Sequence, residues 1–193
     1  YFAHGSGIKI IAPSTPQDAY SMLITAIRDP DPVLVLEPVP LYRTLRDEVD
    51  ETLKTQEFGK AEIVRSGSDI TVVVYGPLRH KTVEVADSLA EDEGIDVEVI
   101  DLKTLIPFDI ETLVNSVKRT GKMVIIHEAS QTMGFGAEIA TSVQAKAFGY
   151  LEAPIDRVCA PDVPHSYRVG DEFYIPNKDR IRAGIMKTME AIL

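Results

Sequence analysis

The sequence predicts an α/β protein whose mostly parallel sheet is covered by helices, and three observations predict it. Strand-length apolar runs rich in Val and Ile recur at ITVVVYG (70–76), DVEVIDL (96–102), KMVIIHEA (122–129) and PIDRVCAP (154–161). These runs are continuous rather than alternating, as strands buried on both faces require. Amphipathic segments with a helical period separate them, which is the rhythm of strands joined by crossover helices.

The first elements precede that regular region. IKIIAPST (8–15) is β-branched and apolar and ends in Pro13 and hydroxyl side chains, so it reads as a buried strand leading to a helix start. Thr15 is placed to N-cap the helix, Pro16 suits its first position, and Asp18 stands three residues after the cap in an approximate capping box. Ala19, Leu23, Ala26 and Ile27 keep one apolar face as far as RDPDP (28–32), where two prolines stop the helix. PVLVLEP (32–38) is the next strand.

One strand-helix-strand unit is too small to hold a core, since chains below about 40 residues usually need a metal, a disulfide or a partner. Residues 8–38 are therefore expected to present an apolar face to something else. YFAHGSG (1–7) reads as a loop entering the last portion of a domain whose earlier strands lie outside this sequence. Residues 1–45 are assigned to that domain tail and 46–67 to a linker, where charge, proline and glycine interrupt short apolar pieces. GKAEIVRSG (59–67) suggests a hairpin fragment within it.

Residues 68–193 form the complete α/β domain. After the strand at 70–76 a helix is expected with Val83, Ala86, Leu89 and Ala90 inward, and after the strand at 96–102 a second with Ile110, Leu113, Val114 and Val117 inward. GAEIATSVQAKAFGYL (136–151) reads as a third helix, and Asn177 as the N-cap of a last one reaching Leu193.

Composition excludes some functions. Thirty acidic against twenty basic residues give a formal net charge of −10, with no Lys/Arg run, which argues against nucleic acid and anionic membrane surfaces and suits a basic protein partner. The single Cys159 makes no intrachain disulfide, so a reducing compartment fits. The longest apolar runs fall far short of the ~20 residues that cross a bilayer. A cytoplasmic protein is expected.

Several residues could carry chemistry. His4 lies in a glycine-flanked loop before a strand, where an imidazole titrating near neutrality can be approached closely. Asp29 and Asp31 stand two apart in a turn after a helix, where free carbonyls also point outward, and together these are hard oxygen ligands for a cation. The competing reading of that turn is ordinary Asp-Pro turn chemistry. HEASQTMGFG (127–136) puts His127 and Glu128 at a strand's C-terminal end and Gly134 and Gly136 at a turn into a helix, a place where anions bind. It matches neither GxGxxG nor GxxxxGK[ST], so a tight turn beside a half-buried His-Glu pair is the favoured reading. His80 is expected at the same sheet edge, His165 in a loop, and Cys159 as a buried thiol. These histidines and the cysteine form no metal-ligand spacing, and no GxSxG elbow exists.

Taken together, YFAHGSGIKIIAPSTPQDA, AIRDPDPVLVLEPVPLYR, DLKTLIPFDIETL, VKRTGKMVIIHEA, GFGAEIA and LEAPIDRVCAPDVP resemble the β subunit of the E1 component of 2-oxo acid dehydrogenase complexes, in order along the whole chain. The resemblance implies a transketolase C-terminal domain at 68–193, preceded by the tail of a thiamine diphosphate pyrimidine-binding domain. It implies an α2β2 enzyme, with E1 α and a second β subunit as partners, that holds thiamine diphosphate and Mg2+ at its interfaces. Such an enzyme decarboxylates a 2-oxo acid, of the pyruvate or branched-chain type, and passes the acyl group to the lipoyl domain of E2. His4 matches the active-site histidine that assists this transfer. The Ala26 carbonyl, Asp29 and Asp31 match a monovalent-cation site, K+ in some members. No cofactor-contacting residue is expected in this chain, because the family's glutamate lies upstream and its Mg2+-diphosphate motif lies in α. The C-terminal domain would make dimer contacts and dock the E2 peripheral subunit-binding domain, in the cytoplasm or, in a eukaryote, the mitochondrial matrix. Met133 stands where the family commonly has Gly, and PHSYRVGDEFYIPN (164–177) departs from the usual aromatic-rich stretch. The alternatives are a non-catalytic assembly and E2-docking module, and a nucleotide-binding protein using the 134–136 turn.

Overall fold

The computed structural model describes residues 2–165 and 173–191. Among them the strands are β1 (Lys9–Ile11), β2 (Val33–Val35), β3 (Glu62–Arg65), β4 (Ile70–Val74), β5 (Val97–Asp101), β6 (Thr104–Ile106), β7 (Met123–Ser130) and β8 (Asp156–Ala160). The helices are α1 (Pro16–Arg28), α2 (Leu41–Thr44), α3 (Leu78–Glu93), α4 (Ile110–Thr120), α5 (Phe135–Ala147) and α6 (Lys178–Glu190). Single 3-10 turns occur at Phe2–His4 and Phe148–Tyr150.

The chain divides into two units. The first comprises residues 1–62, 75–77 and 101–109, so residues 46–62, read from sequence as linker, lie within it. Its sheet has the order β2-β1-β6. β1 and β2 are parallel, with Lys9 opposite Val33 and Ile11 opposite Val35, while β6 runs antiparallel to β1. The third strand, β6, was not legible in the sequence, because TLI is short and adjoins the apolar run of β5.

Helix α1 begins as its sequence demands. Thr15 is extended, its hydroxyl accepts from the Asp18 N–H at 3.1 Å and donates to Asp18 Oδ2 at 2.6 Å, and Pro16 opens the helix. Its buried side is Asp18, Ser21 and Met22, however, and its apolar stripe faces outward. Ile27 is 75% exposed, and Leu23 and Leu36 are also exposed. That is the uncovered apolar face expected of residues 8–38.

The second unit comprises residues 63–74, 78–100 and 110–193. Its five-stranded sheet has the order β3-β5-β4-β7-β8, with β4/β7 and β7/β8 parallel. The hairpin suggested at 59–67 is absent, since β3 takes β5 as its neighbour instead of turning back on itself. Alternation along the strands feeds two cores. Val72, Val74, Val124 and Ile126 pack against Leu78, Val85, Ala86 and Leu89 of α3 and Ile181 and Ile185 of α6. On the other face Gly136 of α5 lies against Ile125 and His127, and Thr71 of β4 is hydrogen-bonded to Thr120 of α4 at 2.8 Å. In α3 the inward residues are Leu78, Thr82, Val85, Ala86 and Leu89, with the expected Val83 and Ala90 at its margins. In α4 Leu113, Val114 and Val117 are buried as expected, and Ile110 is half-buried. Asn177 caps α6 through the Arg180 N–H, and α6 ends at Glu190, within the described residues.

Candidate functional site

His4 sits in the single 3-10 turn Phe2–His4, closed by the Gly5 N–H donating to the Phe2 carbonyl at 3.0 Å. Gly7, at φ 85°, then reverses the chain into β1, a conformation that a side chain at that position would resist. The imidazole is exposed. Because β1 and β2 are parallel and in register, the segment carrying His4 and the turn carrying Asp29 and Asp31 enter the same edge of the first sheet.

That turn is already charged internally. Lys9, the first residue of β1, places its ammonium on both oxygens of Asp29, at 2.7 and 2.8 Å, and on Asp31 Oδ2 at 3.1 Å. The Asp31 N–H donates to Asp29 Oδ1 at 2.9 Å, and the Asp29 N–H donates to the Ala26 carbonyl at 3.3 Å. The hydrogen bond from Lys9 holds the Asp29 carboxyl below its usual range, and the same bond raises Lys9 above its own. Sequence reasoning grouped Ala26, Asp29 and Asp31 and missed Lys9, whose only signal was a lone cation opening an apolar strand. Among the described residues no group of three or more His, Cys, Asp or Glu is arranged to hold a metal.

At the opposite, C-terminal edge of β1 and β2 lies a groove of about 250 Å³, lined by Pro13, Ala19, Leu23, Val35, Leu41 and Tyr42 among others. Beneath the start of α1 the first unit buries a polar cluster. The Lys103 ammonium, almost fully buried, contacts Asp18 Oδ1 at 2.6 Å and Glu62, while the Ser14 hydroxyl donates to Asp101. With its amide oriented to suit both neighbours, Gln56 donates to Asp18 at 3.2 Å and accepts from Lys103 at 3.3 Å. Burial pulls the Lys103 ammonium down, but the bonds to Asp18 and Glu62 outweigh it and leave its pKa raised. No motif announces this cluster, because its members come from separate segments.

In the second unit the 127–136 turn has a packing explanation. His127 is fully buried. A Cβ at Gly136 would fall 2.4 Å from His127 Nε2, and one at Gly134 would fall 2.2 Å from the Ser130 carbonyl oxygen and 2.8 Å from His127 Cε1. Gly136 is thus required by close approach to the imidazole, and Gly134 by approach to the Ser130 carbonyl and the same ring. Burial, with the positive charge of Arg157, pushes the His127 pKa down to about 4, so the ring is neutral at physiological pH. The left-handed residue of the turn is Met133, at φ 59° and 94% exposed. A non-glycine residue there costs about 1–2 kcal/mol in backbone conformation. Replacing Met133 by Gly is accordingly expected to raise stability by about 0.5–1 kcal/mol, net of glycine's extra unfolded-state entropy; denaturant midpoints of the two proteins check it.

The other candidates stay apart. His80 lies in the first turn of α3, His165 is exposed with its ring edge-on to Tyr174 at 4.8 Å, and Cys159 is buried, which raises its thiol pKa. Part of the 164–177 stretch, residues 166–172, lies outside the described residues.

Comparisons with known proteins agree with this architecture. Residues 59–181 match the family described as transketolase, C-terminal domain. The chain is 40% identical over 188 residues to the pyruvate dehydrogenase E1 component subunit beta of Bacillus subtilis, covering 97% of this chain and 58% of that protein. It is 44% identical over 189 residues to the mitochondrial 2-oxoisovalerate dehydrogenase subunit beta 2 of Arabidopsis thaliana, covering 98% of this chain and 52% of that protein. Among solved structures, a split-gene transketolase described as an inactive β4 tetramer superposes with a TM-score of 0.78 at 26% identity, covering 97% of this chain and 59% of that one. The chain thus spans about half the length of the curated relatives it matches. Among the described residues no helix is long and apolar enough to cross a membrane. With the helix-covered parallel sheet, the family match over most of the second unit and relatives that match 97–98% of this chain, the chain belongs to the transketolase C-terminal domain family.

Proposed function

We propose that this chain is part of the β subunit of a 2-oxo acid dehydrogenase E1, which decarboxylates a pyruvate-type or branched-chain 2-oxo acid and transfers the acyl group to the lipoyl group of E2. The observation that carries this reading is similarity to E1 β subunits over 97–98% of the chain at 40–44% identity. A purely structural assembly module finds no support among relatives that are named as dehydrogenase subunits, and the filled 134–136 turn speaks against a nucleotide site.

In this reading the partner is an α subunit in an α2β2 assembly, with a second β subunit, and the net charge of −10 suits a basic E2 docking module. Thiamine diphosphate with Mg2+ supplies the electron sink for decarboxylation when bound. Among the described residues no cluster of three or more His, Cys, Asp or Glu is arranged to hold its metal, and the Gly134–Gly136 turn is packed on His127. The resemblance assigns the cofactor to residues outside this chain, a glutamate upstream and the Mg2+-diphosphate motif in α. No K+ enters the reading, because the Lys9 ammonium already pairs with both carboxylates of the turn, Asp29 and Asp31. The compartment is the cytoplasm in a bacterium and the mitochondrial matrix in a eukaryote, where relatives carry the mitochondrial designation.

His4 is the chain's chemical contribution. When one lipoyl sulfur takes the acyl group and the disulfide opens, the other leaves as a thiolate and needs a proton. An exposed imidazole on a short glycine-flanked turn can deliver it. In the complete enzyme His4→Ala is expected to lower acyl transfer to lipoyl about 10²-fold, the lower range for a general acid. Decarboxylation followed with an artificial electron acceptor should be far less affected. Equal losses in the two assays would remove His4 from this role.

A further inference from the structure

We propose that Lys9 is the resident cation of the turn after α1, its ammonium taking the place between Asp29 and Asp31 that a monovalent metal ion would otherwise fill. Four acceptor oxygens of the turn are engaged by N–H donors of the chain itself. Asp29 Oδ1 receives both Lys9 Nζ, at 2.7 Å, and the Asp31 N–H, at 2.9 Å; Asp29 Oδ2 receives Lys9 Nζ at 2.8 Å. Asp31 Oδ2 lies 3.1 Å from the same ammonium, and the Ala26 carbonyl receives the Asp29 N–H.

An ammonium head and a monovalent metal ion carry the same charge, and here the ammonium has the advantage of being tethered. The parallel register that sets Lys9 opposite Val33 fixes the start of β1 beside the turn that feeds β2. The backbone N–H of Lys9 donates to the Pro32 carbonyl at 3.0 Å, so the residue is anchored by its main chain as well as by its side chain. A free ion would have to displace a covalently attached group whose effective concentration is already high. It would also sit against a like charge. The directions of the pKa shifts agree: the mutual hydrogen bond lowers Asp29 and raises Lys9, so both stay ionised across the neutral range.

The consequence is a protein whose turn is held by Lys9 and is indifferent to K+. The test is thermal unfolding of the intact native polypeptide, and of its Lys9→Met and Lys9→Arg variants, in KCl and in choline chloride at equal ionic strength. The native protein and Lys9→Arg are expected to melt at the same temperature in both salts. Lys9→Met should melt lower in choline chloride and regain about 2–4 °C in KCl, as a site emptied of its ammonium takes up the ion. A K+-specific rise of that size in the native protein would overturn the proposal, as would a folded Lys9→Met with no K+-specific gain. If Lys9→Met does not fold, the native protein and Lys9→Arg decide the matter.

Discussion

Lys103→Met is expected to destabilise the protein by about 3 kcal/mol, the lower end of the cost of breaking a buried ion pair. The Lys103 side chain is 7% exposed and its ammonium contacts Asp18, itself buried, and Glu62. Methionine would fill nearly the same volume with no charge. Asp18 would then keep its hydroxyl neighbours Ser14 and Thr15 but lose its cation in a place where water cannot replace it. The cost stays at the low end because Glu62 is half exposed and can be solvated. Lys103 also holds φ at 54°, a conformation that a residue other than glycine keeps only when its surroundings fix it. The cluster fixes it from both directions, with the Lys103 carbonyl accepting from the Ala12 N–H at 2.7 Å. Urea unfolding of the native protein, Lys103→Met, Asp18→Asn and the double variant measures the effect. The double variant should recover part of the loss, because it removes the stranded carboxylate as well as its partner. A loss below about 1 kcal/mol in the single variant would mean that the pair is not buried as described.

Acid should weaken the second unit through His127. The folded imidazole has its pKa lowered to about 4 by burial and by Arg157, against an ordinary value of 6.5. In the unfolded chain the ring takes up a proton as the pH falls through 6.5, while the folded ring remains neutral until about 4. The unfolded state therefore binds more protons in that window, and stability falls as the pH is lowered across it. The loss attributable to His127 approaches about 3 kcal/mol by pH 4, at about 1.36 kcal/mol for each pH unit that separates the folded from the unfolded value. Above pH 6.5 this contribution is fully present. Imidazole NMR resonances over this range follow it directly: His127 should keep the signature of a neutral ring down to about pH 5. A midpoint near 6.5 would show that the ring is reached by water. Gly134 and Gly136 make such access difficult, since the backbone they carry is packed on the ring with no room for a Cβ.

The fold was legible where side-chain pattern and local chemistry point the same way. β4, β5, β7 and β8 are continuous apolar runs, and each turned out to be a strand of one sheet, because such runs satisfy burial on two faces at once. The start of α1 was legible to the residue, since Thr15, Pro16 and Asp18 satisfy the orphan N–H groups through contacts three residues apart. β6 was missed because a three-residue strand has no period to detect, and its partner β1 lies some ninety residues earlier. The buried side of α1 was equally hidden. Its stripe of Ala19, Leu23 and Ile27 faces outward, in keeping with the apolar face expected of residues 8–38, but no pattern marked the side that the helix turns inward, Asp18, Ser21 and Met22, where Lys103 and Gln56 provide for the polar groups.

The candidate residues divide in the same way. His4 and the pair Asp29 and Asp31 stand out from sequence because each lies in a turn whose glycines or prolines mark it as surface. What Asp29 and Asp31 do was decided by Lys9, twenty residues from Asp29 and brought there only by the register of β1 against β2. By itself the sequence determined the alternation of strands and helices, the family resemblance and the exposed histidine, all of which depend on neighbours within a few residues along the chain. The tertiary structure alone decided which charges neutralise one another, why Gly134 and Gly136 must lack side chains, and which face of α1 is buried. Those outcomes depend on distances between segments remote in sequence, and a hydrogen bond or an ion pair is fixed by distance in space.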